Sequence, residues 1–125
     1  MSFFRRMFGG NQPNDNLRII ITRHGERADL AFGKQWLQKM MQNGGHDPRI
    51  PQLAQRPQFR DWYYDPPLTI DGEYQSANVG QKLLQLGYQI DYCYSSPAYR
   101  SVQTATKILE SQGRKAVPIN IEPGK

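Results

Sequence analysis

The sequence is poor in the residues that build metal centres and disulfide frameworks. Of 125 residues one is cysteine, Cys93, and two are histidine, His24 and His46. A single cysteine excludes an internal disulfide framework and a Cys-rich zinc site. Two histidines argue against a His-rich metal site. Long apolar runs are missing as well. The longest, Ile19-Ile20-Ile21, falls far short of the roughly 20 residues that a membrane-spanning helix needs. Lys and Arg outnumber Asp and Glu by 16 to 11, yet no block of five or six basic residues forms an arm. The aromatics are not interleaved with Lys and Arg either, so a nucleic-acid binder is disfavoured. What remains is 38% hydrophobic and 22% charged residues, a globular composition with the length of one small domain. A soluble, cytoplasmic α/β domain is expected.

Along the chain, residues 1–16 combine Phe3, Phe4, Met7 and Phe8 with Arg5-Arg6 and a turn-rich Gly9–Asn16 stretch. No apolar core of signal-peptide length follows the arginines, so this segment reads as a flexible leader ahead of a domain over 17–125. Leu17–Thr22 is short, β-branched and almost continuously apolar, as in a strand covered on both faces. Leu30–Gln42 has apolar residues near helical spacing, with Gly33 weakening the pattern. Asn43–Pro67 is a long loop that carries Phe59, Trp62, Tyr63 and Tyr64; such loops in small domains are usually functional. A helix is predicted over Thr69–Leu86, with Asp71 near its start, Val79, Leu83, Leu84 and Leu86 on one face, and Gly87 at its end. A strand over Ile90–Tyr94, a helix over Ala98–Gln112 and a strand over Val117–Ile121 follow. Strands alternating with helices predict a parallel sheet with right-handed crossovers. Ligands then bind at the carboxyl ends of strands. That places Arg23–Arg27 and Ser95–Arg100 at one crevice.

The chemistry of those two segments is specific. Arginine forks make paired, charge-assisted hydrogen bonds to phosphate oxygens. Arg23 and Arg27 flank His24, and Arg100 lies at the start of a helix, where backbone amides also favour anions. Neighbouring cations lower the pKa of His24 and keep it neutral. A neutral imidazole in line with a bound phosphorus is a nucleophile that yields a phosphohistidine. Cys93 is read as a buried apolar residue, because no glycine-rich phosphate cradle follows it. His46 is read as an exposed loop residue.

Arg23-His24-Gly25-Glu26 resembles the signature of the histidine phosphatase superfamily, which includes the phosphoglycerate mutases. Two further segments match in order. Leu68-Thr69, Gly72, Gln75 and Gly80 are similar to its L-T-x-x-G-x-x-Q-A helix, with Ser76 in place of the usual alanine. Ser95-Ser96-Pro97, Arg100 and Gln103-Thr104-Ala105 are similar to its S-S-P-x-x-R-x-x-Q-T-A segment. Arg27, Phe32-Gly33-Lys34, Trp36-Leu37, Phe59-Arg60-Asp61 and Glu122-Pro123-Gly124 look most like the TULA/ecdysteroid-phosphate phosphatase branch. The resemblance implies a three-layer α/β/α, phosphoglycerate mutase-like fold with a mainly parallel sheet, incomplete on its C-terminal side. It implies His24 as phosphoryl acceptor, Arg23, Arg27 and Arg100 as phosphate ligands, no metal or other cofactor, and phosphotyrosine protein or a small or steroid phosphate as substrate.

The resemblance also implies a general-acid glutamate and a second pocket histidine, both downstream of the E-P-G segment and so outside this sequence. Glu26, Asp29 and Asp65 are the nearby carboxylates that could be asked to replace the acid. A positioned general acid is worth about 10²–10⁴-fold. The alternative expectation is therefore a non-catalytic relative that binds phosphorylated ligands or a partner chain. An unfinished sheet further predicts self-association.

Overall fold

The computed structural model describes residues 17–123 and the backbone of residues 2–6. The elements run β1 (Ser2–Arg6), β2 (Arg18–Thr22), α1 (Ala28–Phe32), α2 (Trp36–Gln42), α3 (Asp61–Tyr64), α4 (Ile70–Gln85), β3 (Tyr92–Ser95), α5 (Tyr99–Ser111) and β4 (Ile119–Ile121). No helix among the described residues is long and apolar enough to cross a membrane.

The four strands form one sheet in the order β2-β1-β3-β4. β1 pairs antiparallel with both β2 and β3, and β3 pairs parallel with β4. β2, β3 and β4 therefore run in the same direction, with β1 opposed between them. Ser2 stands opposite Thr22 on one side and Ser95 on the other. That register sets the carboxyl ends of β2 and β3 at the same edge, so the segments that follow them start side by side. Residues 2–6 were expected in the flexible leader. Their sequence, Ser-Phe-Phe-Arg-Arg, has no apolar alternation to announce a strand, and tertiary pairing decides the matter. Residues 7–16 of that leader, and Gly124 of the E-P-G segment, lie outside the described residues.

One face of the sheet is packed. Cys93, Ile90, Ala105, Ile108 and Leu109 form its core, with Ile20, Leu83, Val117 and Ile119 against it. The opposite face is open among the described residues: Ile19 is 61% and Ile21 59% exposed, and Tyr92 is exposed too. The expectation that β2 is covered on both faces is thus not met among the described residues. A second cluster, Ala28, Trp36, Leu37, Met40, Ile50 and Trp62, gathers α1, α2 and the long loop, with Phe32, Phe59 and Tyr99 beside it.

Local chemistry explains the helix boundaries. Gly33 adopts φ +85°, a conformation that residues with a Cβ rarely take. It divides the expected 30–42 helix into α1 and α2. Thr69, not Asp71, caps α4: its hydroxyl accepts the Gly72 N–H at 2.9 Å. The buried stripe of α4 is Gly72, Ser76 and Gly80, rather than the expected Val79, Leu84 and Leu86, which are exposed. Gly80 lets α5 approach closely, since a Cβ there would overlap the Ile108 carbonyl, and of the expected leucines Leu83 packs against the core.

Buried Gln112, just after α5, ties the layers together. Its Oε1 accepts the Ile90 N–H at 2.9 Å, and its Nε2 donates to the carbonyls of Gly80 and Tyr88, both at 3.0 Å. Leucine at this position would fill similar space and leave the buried Ile90 N–H unpaired, which costs about 1–3 kcal/mol. Gln112→Leu should lower the unfolding free energy by that amount, read as a lower urea midpoint with an unchanged m value; an unaltered midpoint would remove the clip from the account.

Candidate active site

The segment after β2 is held by backbone and side chains together. Arg27 bridges Leu68 in an antiparallel pair. Thr69 N–H donates to the Glu26 carbonyl at 2.9 Å, and Ala28 N–H donates to that of Pro67 at 2.9 Å. The Thr69 hydroxyl, besides capping α4, donates to Glu26 Oε1 at 2.8 Å. Gly25 and Gly72 meet where these backbones cross. A Cβ on Gly25 would overlap the Gly72 carbonyl, and one on Gly72 would overlap the Glu26 backbone. Both motif glycines are required by this close approach.

α5 supports the same segment from below. Thr104 Oγ1 accepts the Gly25 N–H at 3.2 Å and donates to the Arg100 carbonyl at 2.9 Å. Gln103 Oε1 accepts the Leu68 N–H at 2.7 Å, a buried bond. Gln75 Oε1 on α4 accepts the Glu26 N–H at 3.0 Å. These polar residues stood in the sequence as motif positions without a role. Their partners are backbone groups far along the chain, and no local signal identifies those.

His24 is half-buried, and its Nδ1 lies 2.8 Å from the Gly25 carbonyl. A carbonyl only accepts, so Nδ1 carries the proton and Nε2 is the unprotonated nitrogen of the neutral ring. The His24 pKa lies below its ordinary value of 6.5. Burial is the main cause; the bond to Gly25 opposes it, and the charges of Arg100 and Arg27 add to it. The cations invoked from sequence do contribute, but desolvation leads. His24 and exposed Arg23 line a cleft of about 150 Å³ with Gly25, Gln75 and Thr104. Arg27 and Arg100 lie outside that lining, close enough to act on the His24 charge.

The arginines differ in what they already hold. Arg27 makes a paired contact to Asp29, Nε to Oδ1 at 2.9 Å and Nη2 to Oδ2 at 2.7 Å. This engages two of its five donors. Among the described residues, Arg100 Nε is buried without a hydrogen-bond partner, an expensive state for a cationic donor. Among the carboxylates, Glu26 is bound by Thr69 and Asp29 by Arg27. Asp65 accepts from Arg56 at 2.6 Å and from the Tyr99 N–H at 3.0 Å. Each holds the scaffold in place. The loop aromatics divide: Trp62 is buried edge-on to Tyr99 under the Arg56 guanidinium, whereas Tyr63 and Tyr64 are exposed. His46 is exposed. Cys93 is buried, and burial pushes its thiol up to about 12.

The α/β sheet thus brings a histidine and arginines together at the carboxyl ends of β2 and β3. The chain belongs to the histidine phosphatase superfamily (branch 1), whose sequence profile matches residues 19–124. Ubiquitin-associated and SH3 domain-containing protein B of Homo sapiens is 40% identical over 124 residues, covering 91% of this chain and 19% of that protein. Ecdysteroid-phosphate phosphatase of Drosophila melanogaster is 38% identical over 120 residues, covering 87% of this chain and 15% of that protein. The crystal structure of the ecdysone phosphate phosphatase from Bombyx mori in complex with tungstate superposes with a TM-score of 0.71 at 36% identity. It covers 80% of this chain and 40% of that one. The chain thus spans less than a fifth of the length of these two curated relatives.

Because the folded state holds His24 below 6.5, the unfolded chain takes up this proton first as pH falls. The folded form therefore loses stability as pH drops through that window and regains it as pH rises. An NMR titration should place the His24 midpoint below the ordinary value of 6.5, and Arg100→Ala should move it upward. A midpoint at or above that value in the unaltered chain would contradict the buried, cation-flanked environment.

Proposed function

We propose that this chain carries the nucleophile and phosphate cradle of a phosphomonoester phosphatase acting through phospho-His24. His24 Nε2 attacks phosphorus, the ester P–O bond breaks, and the leaving oxygen departs with its electron pair. Water then cleaves the P–N bond, releasing inorganic phosphate and restoring the imidazole. Arg23, Arg27 and Arg100 hold the phosphoryl oxygens and offset the charge that develops on them. The observation that carries this reading is His24 fixed with Nε2 unprotonated beside Arg100, whose buried Nε–H has no hydrogen-bond partner among the described residues. Phosphate oxygens are the acceptors such a donor fits. Tungstate, bound in the Bombyx mori structure, is a tetrahedral oxyanion of the same shape.

The substrate we infer is a phosphomonoester with an aromatic or steroid body. Support comes from the relatives named for ecdysteroid phosphate. An alkoxide leaving group requires a proton from a general acid; p-nitrophenolate leaves without one. An aryl phosphate is therefore the substrate that reads out the nucleophile and cradle by themselves.

The test is hydrolysis of p-nitrophenyl phosphate between about pH 4 and 8, with the phosphoenzyme trapped by rapid quenching. Turnover and an acid-labile phosphoprotein are expected, and His24→Ala should abolish both. Arg100→Ala should cost about 10²–10³-fold in kcat, the usual loss for one donor to a developing oxyanion. A phosphoprotein that survives in His24→Ala, or turnover indifferent to it, would overturn the assignment.

A further inference from the structure

The R-H-G-E segment contains two successive peptide units, and a side chain from a different helix holds the N–H of each. The His24–Gly25 unit donates to Thr104 Oγ1 of α5 at 3.2 Å. The Gly25–Glu26 unit donates to Gln75 Oε1 of α4 at 3.0 Å. The carbonyl of that second unit is the one that accepts from His24 Nδ1 at 2.8 Å. A peptide unit is rigid and planar, so whatever holds its N–H also aims its C=O. Hydrogen bonding at the N–H further polarises the carbonyl and strengthens it as an acceptor.

We propose that Gln75 is a positioning residue for His24: through the Gly25–Glu26 peptide plane it selects the Nδ1–H tautomer and so leaves Nε2 as the unprotonated nitrogen. Gln75 does this without touching the imidazole by any recorded hydrogen bond. Its position on α4 is rigid, because the Thr69 cap and the Gly25–Gly72 crossing fix the first turns of that helix against the same segment. Glutamine suits the task. Its amide oxygen accepts the Glu26 N–H while adding no charge beside a histidine that must stay neutral. A neutral histidine side chain in water prefers the opposite tautomer, with the proton on Nε2, so the choice has to be imposed by the surroundings. The role serves catalysis through the phosphoryl-acceptor reading of His24, but the tautomer itself can be read without turnover.

The experiment is nitrogen-15 NMR of the histidine side chains in the full chain, at a pH where His24 is neutral. There are two histidines, and exposed His46 serves as internal reference. The unaltered protein should show His24 protonated at Nδ1. Gln75→Leu keeps the bulk and removes the acceptor, and should shift the His24 population toward the Nε2–H form. Gln75→Glu restores an oxygen acceptor and should return it to Nδ1–H. His46 should be unchanged in both. A leucine variant with the original Nδ1–H spectrum would overturn the proposal, as would a glutamate variant that shifts as far as the leucine one. Gln75→Ala reads the same loss should the leucine variant fail to fold. Turnover indifferent to His24→Ala, with the tautomer shift intact, would count against the phosphoryl-acceptor reading alone and leave the role of Gln75 standing.

Discussion

The crossing of the segment after β2 with the first turn of α4 is the contact on which the rest of the site depends. Two backbones without Cβ atoms, at Gly25 and Gly72, touch there. Thr69 uses one hydroxyl to cap α4 and to hold the Glu26 carboxylate. Both the helix and the loop are thereby oriented by a single polar side chain. Close packing of this kind tolerates no added methyl group without displacement of backbone. The position of His24 is therefore set by the scaffold, not by a flexible loop, which is what preorganised chemistry requires.

Around that crossing, burial and charge act on His24 in the same direction, and its bond to the Gly25 carbonyl opposes them. Burial and the Arg27 and Arg100 charges favour the neutral imidazole. In the proposed function the same cations are the donors to phosphate. Arg27 already shares its fork with Asp29, which fixes the orientation of the guanidinium at the cost of two donors. Arg100 retains a buried N–H with no partner among the described residues. A fully satisfied pair of arginines would hold the fold more securely and bind an oxyanion less well.

The open face of the sheet is the other consequence of this architecture. The packed side collects Cys93, Ile108 and Leu109 over α5, while Ile19, Ile21 and Tyr92 on the far side face solvent among the described residues. The long loop, in contrast, is ordered by its own small core. Trp62 is wedged against Tyr99 and stacked under Arg56, and Asp65 reaches the first amide of α5. The loop's aromatics thus split between anchoring and exposure, a division that their bare spacing does not contain.

Sequence by itself determined the class of element at most positions. Alternation of apolar strands with amphipathic helices, the Thr69 and Gly87 boundaries, and the placement of R-H-G-E-R and S-S-P-x-x-R after strands are all local or periodic signals. They were enough to name His24, Arg23, Arg27 and Arg100. Only the tertiary structure decided what lies across from what. It inserted Ser2–Arg6 as a central strand, split the 30–42 helix at Gly33, and buried Gly72, Ser76 and Gly80 in place of the leucine face. It also gave Gln75, Thr104, Gln103 and Gln112 their partners. The physical reason is the same in each case. Propensity and periodicity are properties of neighbours along the chain, whereas hydrogen-bond satisfaction and close packing join residues tens of positions apart. Which of those joins is made depends on the whole fold at once.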